Sequence, residues 1–291
     1  SVDKKILEST TNEVALLKNK FKNEFNNNDY FITFRDFAVS DKKSYLFMSF
    51  GGSQNGAKTI KALHEQKMIN GKAQHEQQVK AIAKRYTQCV SELHKKGIHH
   101  RDIKPDNFFH GKNGIKLGDF GTATETGKEK IKGTENFFPG TLDFFPPEVL
   151  KKVIPSSKVV ETNDYNQHSY TPEKHDAFSL GITLLQLKCG TLETGSLNIL
   201  NEMAKVEKES IRLSENVYRN PFVKISIPDD PNADAIDNRI VHELNGETLD
   251  EVIAKLLVRD PEQRITPEDA LRLPYFSSQN SQQELRMNNA K

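Results

Sequence analysis

Within the stretch GIHHRDIKPDNFFHGKNGIKLGDFGTATE, charged and amide side chains stand inside an otherwise apolar, strand-like and turn-like frame. Asp102 and Asp119 are carboxylates, Lys104 is an ammonium and Asn107 an amide. A carboxylate can accept a proton from a hydroxyl, carboxylate and amide oxygens are hard ligands of the kind Mg²⁺ prefers, and an ammonium can offset anionic charge. Taken singly, each is ordinary, because an Asp before a Lys in a polar turn commonly serves as a turn or capping residue. Together, in this order and context, they point to a site.

Holding such groups in place requires rigid elements around them. Gln74 to Lys95 sets Val79, Ile82, Ala83, Tyr86, Val90 and Leu93 at helical spacing and ends just before the polar stretch. Upstream, Tyr30 to Val39 and Ser44 to Phe50 are aromatic and β-branched, and the polar Ser40 to Lys43 separates them, which predicts a hairpin closed by Gly51 and Gly52. Thr10 to Phe25, with Val14, Leu16, Leu17, Phe21 and Phe25, predicts an amphipathic helix. Residues from about 149 to 175 are polar and irregular and read as an inserted loop, and 277–291, rich in Gln, Asn and Ser, as a disordered tail.

Composition bounds the alternatives. A chain of 291 residues, 35% of them hydrophobic, can bury a sizeable core. Lys+Arg 41 against Asp+Glu 40 gives a net charge of +1, so no nucleic-acid footprint is written into the balance. Cys89 and Cys189 sit in apolar helical patterns and read as buried free thiols of a reducing compartment, with neither a disulfide framework nor a zinc cluster. No apolar run has the length of a membrane span and SVDKKILEST has no signal-peptide core, so a soluble, intracellular (cytoplasmic) protein with no membrane or nucleic-acid partner is expected.

His100-Arg101-Asp102 followed by Lys104-Pro105 and Asn107 resembles the catalytic loop of eukaryotic-type protein kinases, and Asp119-Phe120-Gly121 resembles their metal-binding motif. The resemblance implies an α+β, two-lobed fold: a small antiparallel sheet lobe beside a larger, mainly helical lobe. It implies ATP and Mg²⁺, with Asp102 taking the substrate hydroxyl's proton, Lys104 offsetting charge, and Asn107 and Asp119 as metal ligands. Lys104 is similar to the residue of serine/threonine rather than tyrosine kinases. GTLDFFPPE (Gly140 to Glu148) resembles the end of an activation segment and would set Thr141 beside Asp102. DAFSLGITLLQL (Asp176 to Leu187) resembles the buried central helix, with Asp176 holding the catalytic-loop backbone and Phe178 where the family often has Trp. RDPEQRITPEDALRLPYF (Arg259 to Phe276) resembles the closing helices, with Arg264 paired to Glu148. YLFMSFGG resembles the strand and hinge that hold adenine, which implies nucleotide contacts from Met48, Ser49, Phe50, Gly51 and, on the other side, Phe109. Leu17, Phe34, His100 and Phe120 fall where the family stacks an apolar column.

The resemblance thins at the start of the chain. No glycine-rich strand pair precedes Ser1, so the N-terminal lobe is expected to be incomplete. Val2 to Ile6 is similar to the strand that carries the phosphate-gripping Lys, which would be Lys4, though a solvated residue at a chain end is the favoured reading of Lys4. Glu13 matches the helix Glu of that pair and equally closes a capping box with Thr10. Asp230 to Asp234 lacks the Gly and final Glu of a calcium loop, and Lys128, Lys130 and Lys132 form a solvated run. The expected organisation is a kinase domain over 1–276, with 1–50 a partial N-lobe and 51–276 the C-lobe.

The implied function is transfer of the ATP γ-phosphate to serine or threonine hydroxyls of a protein substrate. The alternatives are a pseudokinase-like scaffold or inactive fragment and, against the Pro146-Pro147-Glu148 platform for peptides, a small-molecule kinase. Arg101 before Asp102 implies switching by an upstream kinase or by autophosphorylation, with Thr122, Thr124, Thr126 and Thr134 as candidate acceptors.

Overall fold

The computed structural model describes residues 28–40, 43–67, 71–126, 139–149, 170–190, 244–258 and 260–277. The expected helix over 10–25, Lys4, Glu13, Leu17, Thr134, the Lys128–Lys132 run, most of the 149–175 loop, Asp230 to Asp234 and the tail from 278 lie outside the described residues.

The architecture is α+β, with small antiparallel sheets and several helices, as a two-lobed kinase fold requires. Strands β1 (Phe34–Ser40) and β2 (Lys43–Met48) form the predicted hairpin, in a register that sets Phe37 opposite Leu46 and Phe34 opposite Met48. The expected first strand is, however, divided. Its leading residues turn away from the hairpin and run parallel to a distant strand: Ile32 N donates to Leu117 O and Leu117 N to Tyr30 O, each at 2.8 Å. Arg85 fixes this crossing, with its guanidinium stacked 4.3 Å from the Tyr30 ring centre and bonded to the Asp29 carbonyl.

A second sheet is built from β3 (Gln54–Asn55), β5 (Phe108–Gly111) and β6 (Gly114–Leu117), in the order β3-β5-β6, and a third from β4 (Ile98–His99) and β7 (Thr124–Glu125). Helix α1 (Gly56–Glu65) begins on Asn55, whose side chain accepts from Lys58 N. Helix α2 (Lys72–Lys95) is the predicted long helix, and its buried face contributes Val79, Ala83, Tyr86, Val90 and Leu93.

Helix α3 (Pro172–Cys189) opens on a proline and ends at Gly190 in the left-handed conformation. It is buried on nearly all sides, as its apolar sequence demands. Two of its buried hydroxyls are satisfied by carbonyls: Ser179 Oγ donates to Phe144 O at 2.7 Å, and Thr183 Oγ1 to Ser179 O at 2.8 Å. Helices α4 (Leu249–Leu256), α5 (Pro267–Arg272) and α6 (Pro274–Ser277) close the core. The first two start in capping boxes, Thr248 with Glu251 and Thr266 with Asp269. The main core packs α2 and α3 against Phe31, Phe108, Leu117 and Phe120, so the polar stretch between β4 and β7 is laid on a rigid apolar base. Cys89 is buried and Cys189 half-buried, both as free thiols. Among the described residues no helix is long and apolar enough to cross a membrane.

Candidate active site

β4 delivers the chain into His100-Arg101-Asp102, and α3 holds that turn from below. Asp176, fully buried, accepts the backbone N–H of His100 through Oδ2 and that of Arg101 through Oδ1, each at 2.7 Å, and a third bond from His94 Nε2 at 2.9 Å. Burial alone would raise its pKa, but the His94 hydrogen bond and the surrounding imidazoles outweigh that and hold the carboxyl well below the usual range. These bonds support Arg101 in a left-handed conformation, φ 64°, that a non-glycine residue adopts only at a cost.

The turn aims Asp102 at three donors. Lys104 Nζ donates to Oδ2 at 2.8 Å, Thr141 Oγ1 to Oδ1 at 2.7 Å, and Asn107 Nδ2 to Oδ2 at 3.3 Å. Lys104 Nζ also donates to Thr141 Oγ1 at 2.7 Å, closing a triangle that ties the end of the activation segment to the catalytic loop. Burial raises the pKa of Asp102, yet the Lys104 and Thr141 bonds and the Lys104 charge more than offset it and keep the carboxyl ionised below its ordinary range. The expected placement of Thr141 beside Asp102 is therefore met.

Asn107 ends a 3₁₀ turn (Pro105–Asn107) and is buried. Its amide nitrogen donates to Asp102 O at 2.8 Å, which fixes the amide and leaves Oδ1 as the atom not engaged with that residue. Its carbonyl accepts from Gly118 N at 2.9 Å, so Asp119 follows directly from the Asn107 backbone. Asp119 is exposed, has φ 62°, and its carboxylate has no hydrogen-bond or ion-pair partner among the described residues. An amide oxygen and an open carboxylate are hard donors, a set that fits Mg²⁺ and not a soft metal.

Beyond Asp119 the chain crosses back over the loop. Phe120 packs on the His100 ring at 5.3 Å and on Phe31 at 6.2 Å, while His100 Nε2 lies 3.0 Å from Gly118 O. The ring meeting Phe120 is thus Phe31, brought there by its bridge to Leu117, and Phe34 is buried in the same core. Thr122 is engaged twice, its hydroxyl donating to His100 O at 2.8 Å and its carbonyl accepting from Arg101 Nε at 2.7 Å.

The hinge candidates divide. Ser49 is locked to the crossing strand: its N–H donates to Thr33 O at 2.7 Å, and its Oγ accepts from Thr33 N at 2.8 Å. Gly51 lies so close to Ile32 and Phe109 that an added Cβ would collide with both, so the hinge exit and Phe109 are brought together. Met48 is 41% exposed and Phe50 84%, so Met48 does not sit as a buried guard at the back of a pocket; it lies at the end of the hairpin, where its strand partner is Phe34. Lys4 is outside the described residues. Sequence reasoning missed Ile32 and Thr33, whose contacts come from a chain crossing no local pattern announces.

Downstream, Glu148 and Arg264 form the expected buried pair, with Nη1 to Oε1 at 2.8 Å and Nη2 to Oε2 at 3.0 Å. The guanidinium also lies 5.0 Å from the Phe178 ring centre.

The profile of the protein kinase domain matches residues 1–276. This chain belongs to the protein kinase family. The kinase domain is 27% identical over 282 residues, 95% of this chain, to a protein of Danio rerio named dual specificity protein kinase Ttk, of which it covers 24%. It is 29% identical over 209 residues, 69% of this chain, to the serine/threonine-protein kinase cds1 of Schizosaccharomyces pombe, covering 36% of it. It is 27% identical over 237 residues, 81% of this chain, to an Aurora kinase of Dictyostelium discoideum, covering 47% of that protein. The chain therefore spans between a quarter and a half of the length of these relatives.

Proposed function

We propose that this kinase domain transfers the γ-phosphoryl group of ATP to serine or threonine hydroxyls of proteins. The observation that carries the reading is the closed triangle of Asp102, Lys104 and Thr141, with separations of 2.7 to 2.8 Å. Asp102 holds and takes the proton of the acceptor hydroxyl as its oxygen bonds to the γ-phosphorus. The bond from that phosphorus to the bridging oxygen breaks, and ADP departs. Lys104 offsets the negative charge on the transferred group, a task that an ammonium already fixed beside the base performs without reorganisation. Thr141 keeps both groups aligned. When bound, Mg²⁺ held by Asn107 and Asp119 supplies neutralisation of the triphosphate.

The preference for serine and threonine rests on Lys104, two residues beyond the base. Relatives named dual specificity kinases raise tyrosine as a second acceptor, and the acceptor assay separates the two. A generic basic protein incubated with labelled ATP and Mg²⁺ should gain phosphoserine and phosphothreonine, and Asp102→Asn and Asp119→Ala should each abolish the gain. Comparable phosphotyrosine would move the reading to dual specificity. Absence of transfer, even with any upstream residues of the natural protein restored, would leave the binding-scaffold alternative. Control through the activation segment is part of the same proposal, with Thr122, Thr124, Thr126 and Thr134 its candidate acceptors; the Thr122 hydroxyl is bonded to the His100 carbonyl and that of Thr126 to His99.

A further inference from the structure

Two imidazoles and a carboxylate converge where α2, β4 and α3 meet: His94 from the last turn of α2, His99 from β4 and Asp176 from α3. One ligand atom from each lies within 4.8 Å of the other two. His94 Nε2 is 2.9 Å from Asp176 Oδ2, and the two imidazole rings are 5.0 Å apart. The side chains of His94 and Asp176 are 8% and 0% exposed, and His99 is buried as well. The Nδ1 of His94 is buried and has no hydrogen-bond partner among the described residues. A further oxygen, Thr126 Oγ1, lies 3.1 Å from His99 Nε2, and Thr126 is exposed, which gives the cluster a face toward solvent. The proposed phosphoryl transfer uses neither imidazole.

We infer that this cluster binds Zn²⁺, or a divalent cation of the same borderline character, through His94, His99 and Asp176. Two imidazole nitrogens and a single carboxylate oxygen are a zinc set and not a magnesium set, and the Thr126 hydroxyl or a water completes a tetrahedron. Tetrahedral zinc holds its ligand atoms about 3.3 Å apart, so the cluster contracts by about 1.5 Å at most, a change within reach of imidazole rotation. The site bears on catalysis through Asp176, whose same two oxygens hold the N–H groups of His100 and Arg101 at 2.7 Å. A cation drawing on those oxygens loosens the turn that aims Asp102. That consequence rests on the kinase reading; the binding itself does not.

The test uses the full chain, stripped with a chelator and titrated with Co²⁺ as a spectroscopic stand-in, then with Zn²⁺. The expected result is one equivalent of Co²⁺ with the intense visible bands of a tetrahedral site, displaced by Zn²⁺. His99→Val and His94→Asn should each weaken Co²⁺ by about 100-fold or more, since even the partners behind a ligand are worth about 10- to 100-fold. His64→Ala, at the separate His64–His75 ring pair, should leave it unchanged. If circular dichroism shows that one cluster variant does not fold, the other decides. Zn²⁺ should also depress phosphate transfer by the unsubstituted chain and spare His99→Val. No tetrahedral bands, or a Co²⁺ affinity in the cluster variants equal to that of the unsubstituted chain, would overturn the site whether or not the chain transfers phosphate.

Discussion

Removing the carboxylate of Glu148 takes from a buried guanidinium the carboxylate that bonds it twice. Arg264 and Glu148 have side chains 0% and 6% exposed, and their two hydrogen bonds run in parallel at 2.8 and 3.0 Å. Breaking a buried pair by deleting one partner costs about 3–5 kcal/mol, because the surviving charge stays desolvated. For a chain of this size that is a fall in Tm of roughly 6–20 °C, at about 2–4 °C per kcal/mol. The structure also ranks the variants. Glu148→Leu strands one charge, while Glu148→Gln keeps an acceptor for one guanidinium N–H and should cost less. Arg264→Met should cost most, since Arg264 also donates to Val258 O at 2.8 Å and Lys174 O at 2.7 Å, so two carbonyls lose a donor together with the carboxylate. Replacing both partners with apolar residues should recover much of the loss, since a packed apolar pair needs no desolvation of charge. Urea and thermal unfolding of the four variants measure this. A Glu148→Leu loss under about 1 kcal/mol, or a double variant no better than the worse single one, would refute the claim that the buried charge is the cause.

Other expectations follow from the site. Thr141→Ala removes one of the bonds that depress the pKa of Asp102, so burial gains weight: the acid limb of the transfer rate should move to higher pH and the rate should drop about 10- to 100-fold, the worth of a hydrogen bond to a charge. Thr141→Ser should restore both. Burial pushes the pKa values of His110 and His175 from 6.5 down to about 4. The unfolded chain therefore takes up protons there first as pH falls, and stability should decline between pH 6.5 and about 4 by about 1.4 kcal/mol per pH unit for each imidazole. His110→Gln should flatten the slope of stability against pH by about one proton; an unchanged slope would contradict the assignment. Gly140 has φ 121°, and a Cβ there would strike the Arg101 carbonyl. Gly140→Ala should thus depress transfer by displacing Thr141 from Asp102, and full activity in that variant would count against the close approach.

The chemistry was legible because it is local and ordered. Asp102, Lys104, Asn107 and Asp119 lie in a single stretch, and the apolar frame between them dictates the short strands and turns that carry them. The Asp176 support and the Glu148–Arg264 pair were legible only through resemblance, since nothing local joins residues so far apart in the chain. What stayed hidden depends on long-range pairing. An aromatic run from Tyr30 reads as one strand, yet Ile32 bonds to Leu117 while Phe34 onward pairs with β2, and alternation in sequence does not encode which partner each half finds. Met48 is placed by the resemblance of YLFMSFGG to a hinge strand, but its exposure depends on what packs over the hairpin. His99 carries no signal in the sequence, because only the approach of α2 and α3 gives it its neighbours His94 and Asp176.

The central claim, that Asp102 serves the chemical step and not nucleotide binding, is tested most directly by measuring ATP–Mg²⁺ affinity and the single-turnover rate of transfer on the same Asp102→Asn protein. The account predicts an affinity within about twofold of the unsubstituted chain and a rate lower by about 10²- to 10⁴-fold, the usual weight of a positioned base. An equal rate, or a loss confined to nucleotide affinity, would contradict it.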